Sequence, residues 1–240
     1  MAATGTCPIC FDAGRIGSVC GASSCLPRGI HYIPKHELGQ RSADTHPDVG
    51  RFFGDYLVTR TLGKGGFGHV LFGLKKPRFT EPAAIKVIAY DSVSEHNRPQ
   101  VERNFRQEAQ ALAQLEHPNT VRLLGTGRHG TGRDYLVMEY IPGSRTLRTD
   151  IEEMADYKLS LDPDHARRSL EQVRNALEEA HDKRIVHRDV KPENVMLERT
   201  PKTEDFVKLV DFGLAKHRDS TGGPSQVMGT PNYMPPEQMA

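Results

Sequence analysis

The sequence predicts an α+β protein with a strand-rich first half and a mostly helical second half. Short segments with alternating or β-branched apolar residues, such as HVLFGL and AAIKVIAY, fall within residues 69–90. Apolar residues spaced three or four positions apart then recur over residues 99–116 and 163–181, as expected for amphipathic helices. We find no internal repeat that would favour a solenoid or a propeller.

Composition narrows the functional classes. Of the 240 residues, 37% are hydrophobic and 26% are charged, which is typical of a folded globular chain. The 32 basic and 31 acidic residues nearly balance, so we expect no nucleic-acid partner. No apolar run approaches the roughly 20 residues that span a bilayer, and the N-terminus lacks a secretory apolar segment. We therefore expect no membrane segment and a cytoplasmic protein.

All four cysteines lie within the first 25 residues: Cys7, Cys10, Cys20 and Cys25. The C-x2-C pair and the wider C-x4-C pair could together supply four thiolates to one tetrahedral Zn²⁺ ion. The alternative is four reduced thiols in a frayed N-terminus, and His31 or His36 could also replace a cysteine ligand. Clustering favours the metal, so residues 1–30 are interpreted as a candidate zinc-binding module.

Residues 31–53 are rich in Gly, Pro, Asp and His and show no sustained periodicity. This composition predicts a linker, with one short strand at IHYI. From residue 54 onward the strand pattern begins.

The first helical segment, residues 99–116, contains a carboxylate where an apolar residue is expected. Phe105, Glu108, Leu112 and Leu115 recur at helical spacing, so Glu108 lies in the apolar stripe. Lys86 is equally unexpected, because alternation places it on one strand face with Ala84. A buried charge is costly without a partner, so we predict that Lys86 and Glu108 form an ion pair.

Two more strands and a second helix complete the pattern. The strands are predicted at TVRLLGTG and YLVMEYI, the latter ended by a Pro-Gly pair. The helix is predicted over 163–181, with a core stripe of Leu170, Val173, Leu177 and Ala180.

A glycine-rich segment, LGKGGFGHV, places Gly63, Gly65 and Gly68 between two strands. Glycines let backbone amides approach phosphate oxygens closely. A helix would follow in a dinucleotide-binding fingerprint, whereas here the chain continues as a strand. The segment therefore predicts a hairpin that covers a nucleotide, with a plain β-turn as the alternative.

Two later segments, IVHRDVKPENVML and VKLVDFGLAK, resemble the protein kinase family. The glycine loop, AIK, a helical Glu, HRD-x4-N, DFG and a PPE segment occur in the family's order over residues 54–240, most like bacterial, eukaryotic-like serine/threonine kinases. The resemblance implies a bilobal fold. It consists of a β-rich N-lobe with one main helix at residues 54–141 and a mostly helical, incomplete C-lobe at 142–240.

The resemblance also implies catalytic roles. Asp189 would orient the substrate hydroxyl, and Lys191 would contact the γ-phosphate. Asn194 and Asp211 would hold Mg²⁺, with Mn²⁺ as a substitute. Lys86, paired with Glu108, would grip the α- and β-phosphates of ATP.

For the nucleotide pocket, the resemblance implies Met138 as gatekeeper and Glu139 to Ile141 as the hinge that binds the base. Leu112, Leu123, His187 and Phe212 match the family's hydrophobic spine and are assigned no chemistry. The full set of implied nucleotide contacts is Leu62, Gly63, Lys64, Gly65, Gly66, Phe67, Gly68, Val70, Ala84, Lys86, Met138, Glu139, Ile141 and Met196.

The implied acceptor is a serine or threonine on a protein, because Lys191 in HRDVKPEN and Thr230 in GTPNY are typical of serine/threonine kinases. Arg188, next to Asp189, is where the family often pairs a phosphorylated activation-loop residue. We therefore predict autophosphorylation, in trans through self-association, at one of Ser220, Thr221 or Ser225. The alternative is an unmodified polar loop.

Two other functional classes compete with an active kinase. One is an ATP-binding scaffold without catalysis, although Lys86, Asp189 and Asp211, whose loss marks that class, are all present. The other is a zinc-dependent partner-binding or redox-sensing protein in which residues 1–30 carry the main function. That segment is too short to fold without metal, which favours an accessory role.

The family's second lobe continues past the activation segment, and this chain stops at Ala240 after Pro235, Pro236 and Glu237. We therefore expect residues 1–240 alone to be poorly stable or inactive. Robust phosphorylation of a generic protein substrate by these residues would contradict that expectation. Proline in place of the usual alanine at Pro235 alters the turn without changing the predicted reaction.

Overall fold

A computed structural model describes most of the chain: residues 3–38, 46–65, 68–89, 93–130, 132–143, 145–160, 162–199, 205–212, 216–217 and 231–234. The chain forms two compact units. The strand-rich unit consists of Met1–Glu95 and Leu124–Tyr140, and the helical unit consists of His96–Leu123 and Ile141–Ala240.

Residues 3–38, called the N-terminal module below, include the start of the predicted linker and carry a small antiparallel sheet in the order β2-β1-β3. Its strands are β1 (Thr4–Thr6), β2 (Ala13–Arg15) and β3 (Ile33–Pro34). Two short 3-10 turns, Leu26–Arg28 and Lys35–Glu37, complete the module. The short strand predicted at IHYI is thus confirmed in part, at Ile33–Pro34.

A six-stranded sheet in the order β4-β5-β6-β7-β9-β8 forms the body of the strand-rich unit. Its strands are β4 (Phe52–Phe53), β5 (Tyr56–Gly65), β6 (Gly68–Lys75), β7 (Glu81–Ile88), β8 (Leu123–Arg128) and β9 (Asp134–Glu139). Short antiparallel connections suit this order, since neighbouring strands mostly follow one another in sequence.

Alternation gives the large sheet two distinct faces. Leu71, Ile85 and Val137 lie side by side on the rear face and are almost completely buried. The front face carries the residues between them, including Ala84 and Lys86, which are only half-buried.

The segment predicted as a linker is packed rather than free in its described part. Ile33, Val49 and Phe53 are buried in one cluster with Leu71 and Ile85 of the rear face. Asp48, also fully buried, accepts two hydrogen bonds from Arg133 at 2.6 and 2.7 Å. The buried apolar residues of 31–53 are too far apart in sequence to form a local pattern, so the sequence does not predict that they are buried together. The module boundary near residue 30 remains a prediction.

In its described residues, the helical unit has three α-helices and two small antiparallel strand pairs, β10–β13 and β11–β12. Its elements are α1 (Arg98–Leu112), α2 (Leu147–Asp156), α3 (Pro163–Asp182), β10 (Ile185–Val186), β11 (Val195–Arg199), β12 (Asp205–Leu209) and β13 (Lys216–His217). The loop after α1 supports β12, because Leu209 N–H donates to Asn119 O at 2.8 Å.

Helix α1 confirms the predicted stripe: Phe105, Glu108, Leu112 and Leu115 are all buried. Glu108 is only 2% exposed. Pro99 lies in the first turn, where its missing N–H costs no hydrogen bond.

Helix α3 has the predicted bounds within one residue, but its buried stripe differs from the prediction. Val173 and Ala180 are buried as predicted, whereas Leu170 is 59% exposed and Leu177 is half-buried. Ser169 and Ala176, each one position earlier, are buried instead, and hydropathy alone does not select such small side chains. Asp162 caps the helix by accepting hydrogen bonds from the amides of Asp164 and His165.

Helix α2 was not predicted from the sequence. Thr146 and Thr149 cap it reciprocally, each side chain accepting from the other residue's backbone amide. Leu147, Ile151 and Met154 recur at helical spacing, but only Leu147 and Asp150 are buried, and Ile151 is 39% exposed. Among the described residues, no helix combines the length and apolar character that crossing a membrane requires.

Candidate active site

The front face of the large sheet gathers several predicted nucleotide contacts within the strand-rich unit. Val70 on β6 lies opposite Lys86 on β7, and Ala84 on β7 lies opposite Met138 on β9. Directly opposed residues of antiparallel strands share a face, so these four side chains form one surface. Glu139 ends β9 beside this surface.

Lys86 lies in the middle of that front-face surface. It stands between Val70 and Leu136 in register and is half-buried. An ammonium group on an apolar strand face is unusual for a purely structural residue, because burying it costs free energy. The ion pair of Lys86 with Glu108 remains a prediction.

The glycine-rich segment is a β-hairpin, as predicted. It joins β5 to β6, with Gly63 opposite Val70 and Gly65 opposite Gly68. Leu62 and Lys64 lie on the β5 arm, whereas Gly66 and Phe67 at the tip lie outside the described residues.

Two of the hairpin glycines have different physical roles. A Cβ atom at Gly68 would lie 1.9 Å from the carbonyl oxygen of Val87, so glycine is required there for packing. A Cβ at Gly63 would meet no described atom within 4 Å, and its φ is not in the left-handed region. Neither packing nor backbone conformation explains glycine at Gly63, which leaves space for a ligand beside the strand.

The loop at residues 187–194 of the helical unit, called the catalytic loop below, brings three predicted site residues together. Lys191 Nζ lies 2.8 Å from Asp189 Oδ2. Asn194 Nδ2 donates to the carbonyl oxygen of Asp189 at 2.8 Å and to Asp189 Oδ2 at 3.2 Å. Asn194 is 5% exposed, so its side chain holds the Asp189 carboxylate from a buried position.

Asn194 also connects the catalytic loop to the end of β12. Val210 N–H donates to the carbonyl oxygen of Asn194 at 3.0 Å, and Asp211 follows directly. Asp211 is exposed and has φ of +64°, a left-handed conformation that non-glycine residues rarely adopt. Amide and carboxylate oxygens at these two positions are the ligand types that Mg²⁺ prefers.

His187 positions the catalytic loop, whereas the sequence analysis placed it in the hydrophobic spine and gave it no chemical role. Its Nδ1 accepts a hydrogen bond from the amide of Asp189 at 3.3 Å, and its Nε2 lies 3.1 Å from the carbonyl oxygen of Val210. Its ring packs on Phe212 with centroids 4.4 Å apart. Burial lowers the pKa of His187, so the ring is neutral and links the two segments by hydrogen bonds. The HRD motif, which begins with His187, was the sequence feature that could have indicated this role.

The other predicted nucleotide contacts, Met196 and Ile141, belong to the helical unit. Met196 is half-buried on β11, where it forms a bridge with Thr146 and lies opposite Lys208. Ile141 is buried at the start of the segment that leads to α2. The activation-loop residues Ser220, Thr221, Ser225 and Thr230, and the segment Pro235–Glu237, lie outside the described residues.

The four cysteine sulfurs of the N-terminal module converge in the strand-rich unit. The Sγ atoms of Cys7 and Cys25 are 3.7 Å apart, those of Cys10 and Cys20 are 3.5 Å apart, and all four lie within 4.8 Å of one another. A tetrahedral Zn²⁺ site with Zn–S bonds of about 2.3 Å requires sulfur separations of about 3.8 Å. The observed spacing therefore suits a single ion.

The surroundings of Cys20 favour its thiolate form. Burial opposes ionisation, but the Ala22 amide and the neighbouring Cys10 and Tyr32 side chains lower the pKa of the Cys20 thiol to about 7. Burial raises the pKa of the Cys7 thiol, although the amide of Ile9 donates to Cys7 Sγ at 3.5 Å and opposes that shift. The described group of converging ligand atoms contains the four cysteines and neither His31 nor His36.

Comparison with known proteins gives one consistent result. A family model described as the protein kinase domain matches residues 56–240. Serine/threonine-protein kinase pkn3 of Myxococcus xanthus is 35% identical over 205 residues, covering 82% of this chain and 36% of that protein. Serine/threonine-protein kinase PrkC of Bacillus subtilis is 32% identical over 190 residues, covering 78% and 27%.

A eukaryotic relative matches over a longer stretch. The hormonally up-regulated neu tumor-associated kinase of Homo sapiens is 34% identical over 233 residues, covering 95% of this chain and 30% of that protein. The chain thus spans roughly a third or less of the length of these three relatives. The α+β fold class predicted from the sequence agrees with this family.

Proposed function

Since this chain belongs to the protein kinase domain family, we propose that it transfers the γ-phosphoryl group of ATP to serine or threonine hydroxyls of proteins. The observation that carries the proposal is the arrangement of the catalytic loop. Asp189 is held by Lys191 on its carboxylate and by Asn194 on both its carboxylate and its carbonyl oxygen. Phosphoryl transfer depends mainly on positioning and charge neutralisation, which such a fixed constellation provides.

In the helical unit, each residue of the loop has a separate task. Asp189 accepts a hydrogen bond from the acceptor hydroxyl and orients it for attack. Lys191 contributes positive charge to the transferred group, and Asn194 and Asp211 offer oxygen ligands to Mg²⁺. The bound ion would neutralise charge on the phosphates. Mn²⁺, which also accepts oxygen ligands, is a substitute.

In the strand-rich unit, the front face of the sheet suits the base and phosphates of ATP. Ala84 is small enough to leave room beside Val70 and Met138, and Lys86 supplies a cation for the α- and β-phosphates. The open space at Gly63 allows the hairpin amides to approach the phosphates closely. Glu139, at the end of β9, offers backbone groups to the base.

Regulation and location are part of the same proposal. We infer that the protein acts on protein substrates in the cytoplasm and phosphorylates itself, through self-association, at Thr221 or a neighbouring Ser or Thr. Arg188, whose backbone is in the left-handed region with φ of +67°, directly precedes Asp189. Its guanidinium would pair with the phosphate of the modified residue.

We also propose that Cys7, Cys10, Cys20 and Cys25 hold one structural Zn²⁺ ion. The sulfur separations of 3.5 and 3.7 Å support it, since they are close to the sulfur–sulfur distance of about 3.8 Å in a tetrahedral Zn²⁺ site.

The test is phosphoryl transfer by the full-length protein with Mg²⁺ and ATP on a mixture of protein substrates, read by mass spectrometry. We expect phosphoserine and phosphothreonine on the substrates and at least one modified residue within 216–230 of the protein itself. Nucleotide binding without any transfer would instead support an ATP-binding scaffold and reject the proposed function. Phosphotyrosine alone would reject the acceptor class.

A further inference from the structure

The N-terminal module is joined to the large sheet by a continuous set of backbone hydrogen bonds. Cys20 N–H donates to Ile30 O at 2.7 Å, and His31 N–H donates to Gly50 O at 2.7 Å. Gly50 N–H in turn donates to Val58 O on β5 at 2.9 Å. Cys20 is thus connected to Val58 on β5 by three hydrogen bonds and by the peptide bond between Ile30 and His31. Strand β5 leads into the glycine hairpin.

Gly50 is the tightest point of this connection. Its φ is +82°, and a Cβ there would lie 2.9 Å from Ile30 Cγ2 and 3.1 Å from Pro8 Cγ. Ile30 packs with the cysteines, and Pro8 lies between Cys7 and Cys10. The position of the cysteine cluster and the position of the 46–53 segment are therefore fixed against each other.

Side chains add a second connection to β5. Glu37 Oε2 accepts hydrogen bonds from Thr59 Oγ1 at 3.3 Å and from Arg60 Nε at 3.2 Å. Arg60 lies opposite Phe72 in register, and its guanidinium is 4.1 Å from the centre of that ring, on the front face. The module therefore contacts β5 a few residues before Leu62 and Gly63.

Apolar packing adds a third connection, on the rear face. Ile33 of the module is 1% exposed and shares its cluster with Leu71 of β6 and Ile85 and Val87 of β7. Ile16 and Phe79 pack against the same cluster, and a Cβ at Gly17 would lie 2.5 Å from the Phe79 ring. Strands β6 and β7, which carry Val70 and Lys86 on the front face, thus depend on the module for burial of their rear face.

We propose that Zn²⁺ bound by the four cysteines stabilises the large sheet from its rear face and thereby increases the nucleotide affinity of the front face. The module is too small to keep its shape without a metal, because its own core is little more than Ile30 and the cysteine side chains. Loss of the ion releases Ile33 and Gly50, and the order of β5, β6 and β7 decreases with them. The inference rests on the zinc site and the ATP site proposed above.

The primary experiment uses the wild-type protein before and after removal of zinc with a chelator, followed by re-addition of Zn²⁺. We expect one zinc per chain by metal analysis. Chelation should increase amide hydrogen exchange in β5, β6 and β7 and raise the Kd for a non-hydrolysable ATP analogue about tenfold, a typical coupling between two sites. Re-added Zn²⁺ should reverse both effects.

A pair of glycine variants separates this coupling from general destabilisation. Gly50→Ala is expected to keep zinc but to expose β5 to exchange and to abolish most of the effect of chelation on nucleotide affinity. Gly29→Ala is the matched control, because its φ is +61° but a Cβ there meets no described atom within 4 Å. Gly29→Ala should retain the wild-type response to chelation.

Each outcome decides one part of the inference. Absence of stoichiometric zinc overturns it, as does unchanged exchange in β5 to β7 after chelation of a zinc-loaded protein. A chelation response in Gly50→Ala equal to that of wild type also overturns it. If exchange responds to zinc while no nucleotide binds even to the zinc-loaded protein, the structural coupling stands and the proposed kinase function fails.

Discussion

At the scale of single residues, the catalytic loop is a set of short contacts around Asp189. Lys191 and Asn194 hold its carboxylate, and His187 accepts a hydrogen bond from its amide. The sequence identifies these residues by their order and spacing, but not how they are held. The link from His187 Nε2 to the carbonyl oxygen of Val210 joins positions 23 apart, which no local pattern predicts.

One buried histidine, His187, and two half-buried ones, His46 and His129, give a residue-scale prediction about pH. Burial lowers the pKa of His46, His129 and His187 from the ordinary value of 6.5. The unfolded chain therefore binds more protons than the folded one below about pH 6.5, and stability falls as pH falls. Each histidine contributes at most about 1.4 kcal/mol per pH unit to this slope.

The measurement is the urea midpoint of unfolding between pH 7.5 and 5.5, which should decrease steadily. His129→Gln should reduce the slope, and His36→Gln, whose side chain is 78% exposed, should not. The Asp48 carboxyl does not add to this window: burial opposes its ionisation, but the hydrogen bonds from Arg133 hold its pKa below the ordinary 3.8. A midpoint that rises on acidification would contradict the lowered pKa values of these three histidines.

At the scale of elements, the glycine hairpin provides a test that separates packing from ligand binding. Gly68→Ala places a Cβ 1.9 Å from the Val87 carbonyl oxygen, so we expect a destabilisation of about 2 kcal/mol. Gly63→Ala meets no described atom within 4 Å and should change stability by less than about 0.5 kcal/mol.

Gly63→Ala should affect ATP binding more than stability, whereas Gly68→Ala should mainly affect stability. Gly63→Ala is expected to weaken ATP binding although its thermal unfolding is unchanged, because the added methyl group occupies space beside the phosphates. Thermal unfolding and calorimetric titration with MgATP measure both quantities. Wild-type affinity in Gly63→Ala would show that the space at Gly63 is not used by the nucleotide.

The elements that the sequence predicts correctly are those with a local pattern. β6, β7 and α1 have apolar residues at period two or near 3.6, and α3 is delimited by an Asp cap and a proline. α2 was not predicted, although Leu147, Ile151 and Met154 recur at helical spacing. Its reciprocal threonine caps and the contacts of Arg145 with Asp150 and Asp205 are not part of that apolar pattern. In α3, Val173 and Ala180 are buried as predicted, but Ser169 and Ala176 are buried in place of Leu170 and Leu177.

At the scale of the whole molecule, the packing of residues 46–53 depends on a long-range ion pair that sequence cannot show. Asp48 and Arg133 are 85 positions apart, and Asp48 is fully buried. Asp48→Ala leaves the Arg133 guanidinium without these two hydrogen bonds, so we expect a loss of about 3 kcal/mol in the free energy of unfolding.

Asp55→Ala is the matched control for Asp48→Ala. Asp55 pairs with Lys76 at 3.0 Å, but both side chains are more than half exposed, so its removal should cost less than about 1 kcal/mol. Urea unfolding of both variants measures the difference. Equal effects would contradict the view that residues 46–53 are an integral part of the strand-rich unit.

The central claim is that Asp189 catalyses phosphoryl transfer from ATP, and one comparison tests it most directly. Asp189→Asn in the full-length protein should lower kcat for phosphorylation of Ser/Thr substrates by a factor of about 10³, while the Kd for MgATP changes by less than about threefold. Asp156→Asn, an exposed aspartate at the end of α2, is the matched control and should retain wild-type activity. Undiminished transfer by Asp189→Asn would contradict the account.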